Sequence, residues 1–133
     1  MKKTTAMAAM VFIVAGPLTP HLASGQQPGI KRTDLQRHDL SIPGREVNQV
    51  LVEFAPGVSF PKHSHPGEEI VYIVEGQLEY ALEGKHPVTL KAGEVLFIPT
   101  GVAHEVKNVG SGKSSELATY IVEKGKPLLT LSK

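Results

Sequence analysis

Residues 57–76, GVSFPKHSHPGEEIVYIVEG, place His63 and His65 one residue apart at the start of an apolar, strand-like run. Side chains at i and i+2 of a strand point to the same side. Two imidazoles at that spacing can grip one ion from one direction. Neutral imidazole suits Zn, Cu, Fe and Ni, and an added carboxylate widens the choice toward Mn. The Pro66-Gly67 turn lets the chain bend and present a carboxylate from the next strand. Glu68 and Glu69 are both candidates, and they point opposite ways. A third imidazole is offered by His104, which lies in VAHEV between apolar neighbours. A histidine in an apolar strand needs a polar partner. An HxH pair alone is a weak signal, and His21, His38 and His86 are read as ordinary residues: His21 near the N-terminus, His38 in a charged stretch, His86 before a proline.

The elements that must position these groups are strands. Strand-like runs recur in GREVNQVLVEF (44–54), EIVYIVEG (69–76), QLEYALEG (77–84), HPVTLKAG (86–93), EVLFIPTG (94–101), VAHEVKNVG (102–110) and ELATYIVEKG (116–125). Gly, Pro or Asn punctuates nearly every boundary. Short strands at regular turn spacing predict an all-β sandwich or barrel. Leu78, Tyr80 and Leu82 share one face of their run, with Gln77, Glu79, Ala81 and Glu83 on the other, which predicts one buried and one wet face. Residues 70–74 and 95–98 are apolar on both faces, which predicts cover from the barrel interior on one side and from a second sheet or partner subunit on the other.

With those residues in place, the chain resembles the cupin family. Gly57, His63, His65, Glu69 and Gly76 fit its first motif, G(X)5HXH(X)3,4E(X)6G, and Gly93, Pro99, Gly101, His104 and Asn108 fit the second, G(X)5PXG(X)2H(X)3N. Sixteen residues separate the motifs, and the likeness spans about residues 44–123. Glu69, not Glu68, fits the spacing. The resemblance implies an antiparallel double-sheet jelly-roll barrel. It implies that His63, His65, Glu69 and His104 are the four protein ligands of a divalent transition metal (Fe, Mn, Ni, Cu or Zn) inside the barrel. Asn108 is expected to cap a turn, and Gly76 to occupy a turn with positive φ.

Residues 1–25 carry Lys2 and Lys3, an uncharged apolar run over 6–18, and small residues at Ala23-Ser24-Gly25. This is the three-part pattern of a secretory signal peptide, and it predicts export to the periplasm or the extracellular space, with no membrane contact after cleavage. Removing it leaves 108 residues, one domain, with 12 Lys+Arg against 13 Asp+Glu, a formal charge of −1. Scattered basic residues and few aromatics argue against a nucleic-acid footprint. With no cysteine, disulfides do not stabilise the fold. Residues 26–33 are read as a flexible leader, 26–43 as the leader and first strand region, 44–125 as the barrel, and 126–133 as a C-terminal tail.

Small-molecule chemistry at the metal is the expected function, with a dioxygenase-like oxidoreductase as the favoured class. The alternative is an exported, non-catalytic module that captures a sugar or organic anion. Gln49 and Glu53 share a strand face and are candidate groups around the centre, and Phe54, Phe60, Tyr72 and Phe97 are candidate pocket walls. A homodimer would cover the doubly apolar strands and the apolar run 117–122.

Overall fold

The computed structural model describes residues 27–133, all of it strand, turn or irregular chain. The proposed signal segment lies outside the described residues. Ten strands follow in order: β1 (Ile30–Asp39), β2 (Arg45–Phe54), β3 (Ser59–Ser64), β4 (Gly67–Glu75), β5 (Gln77–Leu82), β6 (Val88–Lys91), β7 (Val95–Ile98), β8 (His104–Asn108), β9 (Ser114–Glu123) and β10 (Thr130–Leu131). They form two five-stranded antiparallel sheets, ordered β1-β2-β9-β4-β7 and β10-β3-β8-β5-β6. Among the described residues no helix is long and apolar enough to cross a membrane.

The alternation read from the sequence is what closes the barrel. Leu78, Tyr80 and Leu82 of β5 are buried and their neighbours are partly wet. Val50, Val52 and Phe54 of β2, Val71 and Ile73 of β4, and Ala118, Tyr120 and Val122 of β9 meet them from the other sheet. Each large apolar side chain buried this way stabilises the fold by roughly 1.5–3 kcal/mol. Asn108, at the end of β8, acts as a hub. Its amide donates to the carbonyls of Phe54, Ala55 and Gly112, and its oxygen accepts from Gly110 N and Ser114 Oγ. This is the turn-capping role expected of it. Gly76 has φ of 74°, as the turn reading requires.

Two ends of the chain depart from the sequence reading. Residues 30–39, assigned in part to a flexible leader, form a ten-residue edge strand paired with β2 along its length, with one register shift between Asp34 and Gln36. The charged sequence IKRTDLQRHD hides it, because an edge strand needs little apolar surface of its own. Residues 126–133, set apart as a tail, carry β10, which extends the second sheet beside β3.

The outer face of the first sheet also differs from expectation. Ile70, Tyr72, Val74, Val95 and Phe97 are exposed, Val95 to 64% and Phe97 to 57%. Among the described residues no second sheet covers β4 and β7 on that side.

Candidate metal centre

His63 lies on β3, His65 one residue past its end, Glu69 on β4 and His104 at the start of β8. A register shift sets up the first of these. Phe60 pairs with Val106 and His63 with His104, so three steps on β3 oppose two on β8. Such a bulge re-aims a side chain, and Pro61, which has no N–H to offer a ladder, sits inside it. From His63 to Glu69 every second residue then faces inward: His63, His65, Gly67 and Glu69 are buried while the residues between are partly exposed. Glu68 falls on the outer side, opposite Ile121.

The four side chains converge. His63, His65, Glu69 and His104 retain 4%, 5%, 3% and 1% of their exposure, so water reaches none of them freely. Ligand nitrogens of the three histidines all lie within 4.8 Å of one another. Glu69 Oε2 lies 3.1 Å from His65 Nε2 and 3.2 Å from His104 Nε2.

The ring hydrogen bonds decide what those atoms offer. His63 Nδ1 donates to Pro61 O at 2.8 Å, His65 Nδ1 to Leu128 O at 2.7 Å, and His104 Nδ1 to Val102 O at 2.9 Å. A neutral imidazole with its proton on Nδ1 carries a lone pair on Nε2. Despite their proximity, His65 Nε2, His104 Nε2 and Glu69 Oε2 have no hydrogen-bond partner. Buried acceptors are thus turned on one another, an arrangement that suits a cation between them.

The Cupin domain family matches residues 50–122. The chain belongs to the cupin family. A germin-like protein of Arabidopsis thaliana (subfamily 2 member 2) is 36% identical over 87 residues, 59% of this chain and 40% of that protein. An oxalate-binding protein of Thermotoga maritima is 38% identical over 72 residues, 53% of this chain and 59% of that one. Among solved structures, a recombinant oxalate oxidase in complex with glycolate superposes with a TM-score of 0.64 at 27% identity, over 79% of this chain and 56% of that one. This cupin therefore spans less than two thirds of the length of these relatives.

At the cupin site, electrostatics favour a lone pair over a proton on the His63 ring. Burial, with His104 alongside, pushes the His63 imidazole down to about 3, so the ring is neutral at physiological pH. Three imidazoles and one carboxylate form a donor set compatible with a divalent metal ion.

Beneath the cluster lie polar groups that the sequence reading passed over. The Tyr120 ring packs on His65 with centroids 4.7 Å apart. Arg32 Nη2 donates to Tyr120 Oη at 3.4 Å, and its guanidinium carbon lies 6.0 Å from that ring's centre. Arg32 makes no ion pair within 4 Å among the described residues. Glu116 is buried and accepts a hydrogen bond from Tyr80 Oη. Burial, with Glu69 nearby, raises its carboxyl well above the ordinary range. Arg32 lies in the segment read as leader, and Glu116 opens the run 116–125, read as a strand with no role assigned to that carboxyl.

Other candidates fall outside the site. Gln49 bonds Thr119 and Gln36, and Glu53 pairs with Lys113 and Lys31, all on the outer face. Their strand face is the one turned away from the barrel. Tyr72 and Phe97 are exposed, and Phe54 is core. Of the four proposed wall residues, Phe60 alone touches the cluster, edge-on to His63 with centroids 4.6 Å apart. His38 and His86 are exposed and away from it.

Proposed function

We propose that this cupin binds one divalent transition metal ion through His63, His65, Glu69 and His104, and that it acts there on a small organic molecule, with oxidation by O₂ the favoured chemistry. The observation that carries the reading is the meeting of buried, partnerless acceptor atoms on His65, His104 and Glu69. A bound ion would supply Lewis acidity and a template for a chelating ligand. The chain's own residues supply the rest: the carbonyls of Pro61, Val102 and Leu128 fix the ring tautomers, and burial excludes water. The oxalate oxidase likeness supports the oxidoreductase class. The test is O₂ uptake by metal-loaded and metal-free protein with oxalate or glycolate. Metal-dependent uptake supports an oxidase, and its absence moves the alternative forward.

That alternative is a non-catalytic module that captures a small organic anion outside the cytoplasm. Arg32 favours an anion as the ligand in either case. Its guanidinium is half-buried beside Tyr120 and has donors to spare for a carboxylate. The likeness to an oxalate-binding protein supports the same ligand class. Ligand-dependent stabilisation without turnover would distinguish the module from the enzyme. Export rests on the N-terminal pattern.

Self-association belongs to the same proposal. On the outer face of the first sheet, Val95, Tyr72, Leu117 and Leu51 stand in register across four strands with no charge among them. Two copies facing each other there would bring no like charges together at the centre of the contact. A second copy of this chain is the occupant proposed.

A further inference from the structure

Two of the three histidine rings are held locally and one is not. His63 and His104 each donate Nδ1–H to the carbonyl two residues upstream, Pro61 and Val102. Those acceptors are in place whenever the strand ends form. The acceptor for His65 is the carbonyl of Leu128, 63 residues further along the chain. Leu128 lies beyond residues 50–122, which carry the family match.

The segment bearing that carbonyl is pinned on both sides. Upstream, Glu123 N donates to Pro66 O at 3.2 Å, next to His65 itself. Downstream, Thr130 and Leu131 pair with Ser64 and His63, and Ser132 N donates to Lys62 O at 2.9 Å. The Leu128 side chain packs against the apolar core between these points. The strap is nonetheless slight. β10 is two residues long, and both are exposed. Segments with so few buried contacts open more readily than the barrel they lie on.

We infer that residues 128–132 form a strap that positions the His65 imidazole, and that the metal affinity of this cupin is set in part by a C-terminal segment outside the matched domain. The consequence for affinity rests on the metal reading above; the positioning of the ring does not. Partners that fix a ligating histidine typically change metal affinity by about 10–100-fold when lost.

The test uses three full-length chains: the native protein, Leu128→Asp, which places a charge in the apolar contact and should eject the strap, and Leu128→Met, which should keep it. The first readout is the tautomer of each histidine ring in metal-free protein at pH 8.5, from long-range ¹H–¹⁵N correlation. The native chain and Leu128→Met should carry the His65 proton on Nδ1. Leu128→Asp should show mixed tautomers at His65 alone, with His63 and His104 unchanged. The second readout is Zn(II) affinity by chelator competition, expected to fall about 10–100-fold in Leu128→Asp and little in Leu128→Met. An Nε2–H tautomer at His65 in the native chain overturns the strap even if Leu128→Asp fails to fold. An unchanged tautomer and Zn(II) affinity in a folded Leu128→Asp overturns it as well. A native chain that binds none of Zn(II), Fe(II), Mn(II), Ni(II) and Cu(II) overturns the metal reading and the affinity consequence, while the tautomers still score the positioning of His65.

Discussion

His63 on β3 and His104 on β8 stand opposite each other across the sheet, their Cα atoms in register and their ring centroids 4.2 Å apart. The pairing depends on the register shift after Phe60, without which β3 would turn its other face inward. Two strands thus bring together imidazoles 41 positions apart in the chain.

His104→Ala removes one of these rings and should lose most bound metal. Ligand loss should weaken binding by at least about 100-fold, since loss of outer partners alone reaches that figure. Native protein should gain about 2.7 kcal/mol of stability at metal concentrations 100 times its dissociation constant. His104→Ala should gain almost none, whereas His86→Ala, at an exposed position in irregular chain, should match the native protein. Thermal melts with and without added metal check both. A native-like metal shift in His104→Ala would remove it from the ligand set.

Glu116 gives the cupin a pH dependence of opposite sign to that of a paired surface carboxylate. Its folded carboxyl is raised above the ordinary 4.5, chiefly by burial. The folded state therefore holds its proton more tightly than the unfolded one, and the associated stability is present below about 4.5 and lost as pH rises toward the elevated value. Glu116→Gln keeps an acceptor for Tyr80 and removes the titration. Urea unfolding of metal-free protein from pH 4.5 to pH 9 should show a smaller loss of stability with rising pH in Glu116→Gln. Parallel profiles for the two proteins would show that Glu116 does not hold that proton.

Arg32→Gln should leave metal content unchanged and weaken binding of oxalate or glycolate. Hydrogen bonds to a charged group contribute about 1.5–3 kcal/mol, which corresponds to roughly 10–100-fold in affinity. Calorimetric titration of the metal-loaded protein checks it. Equal affinities would mean that the guanidinium does not reach the ligand.

Phe97→Glu places a charge on the exposed apolar face of β7. If two copies meet there, the native protein should sediment as a dimer and the variant as a monomer with an unchanged melting temperature at low concentration. A native monomer at high micromolar concentration would contradict the self-association proposal.

Much of this cupin is legible in its sequence because period-two burial leaves a trace. Leu78, Tyr80 and Leu82 alternate with polar residues, and Gly57 to Asn108 carry spacings that survive as motifs. What escaped lies where that trace is weak. β1 is an edge strand with one registered neighbour, so its sequence reads as charged. β10 is two residues long, and Leu128 acts through a backbone carbonyl, which no side-chain pattern reveals. The shift between Phe60 and His63 cannot be counted from apolar spacing, although Pro61 hints at it. Glu116 was obscure for a different reason: inside a barrel, a glutamate is tolerable when a partner such as Tyr80 satisfies its carboxyl.

The central claim is tested most directly by elemental mass spectrometry of the protein purified without a histidine tag and reconstituted with Fe(II), Mn(II), Ni(II), Cu(II) or Zn(II) in turn. The account predicts close to one equivalent of at least one of these metals per chain, and near zero in His63→Ala/His104→Ala. No metal retained by the native protein under any of these conditions, or equal retention by the double variant, would contradict it.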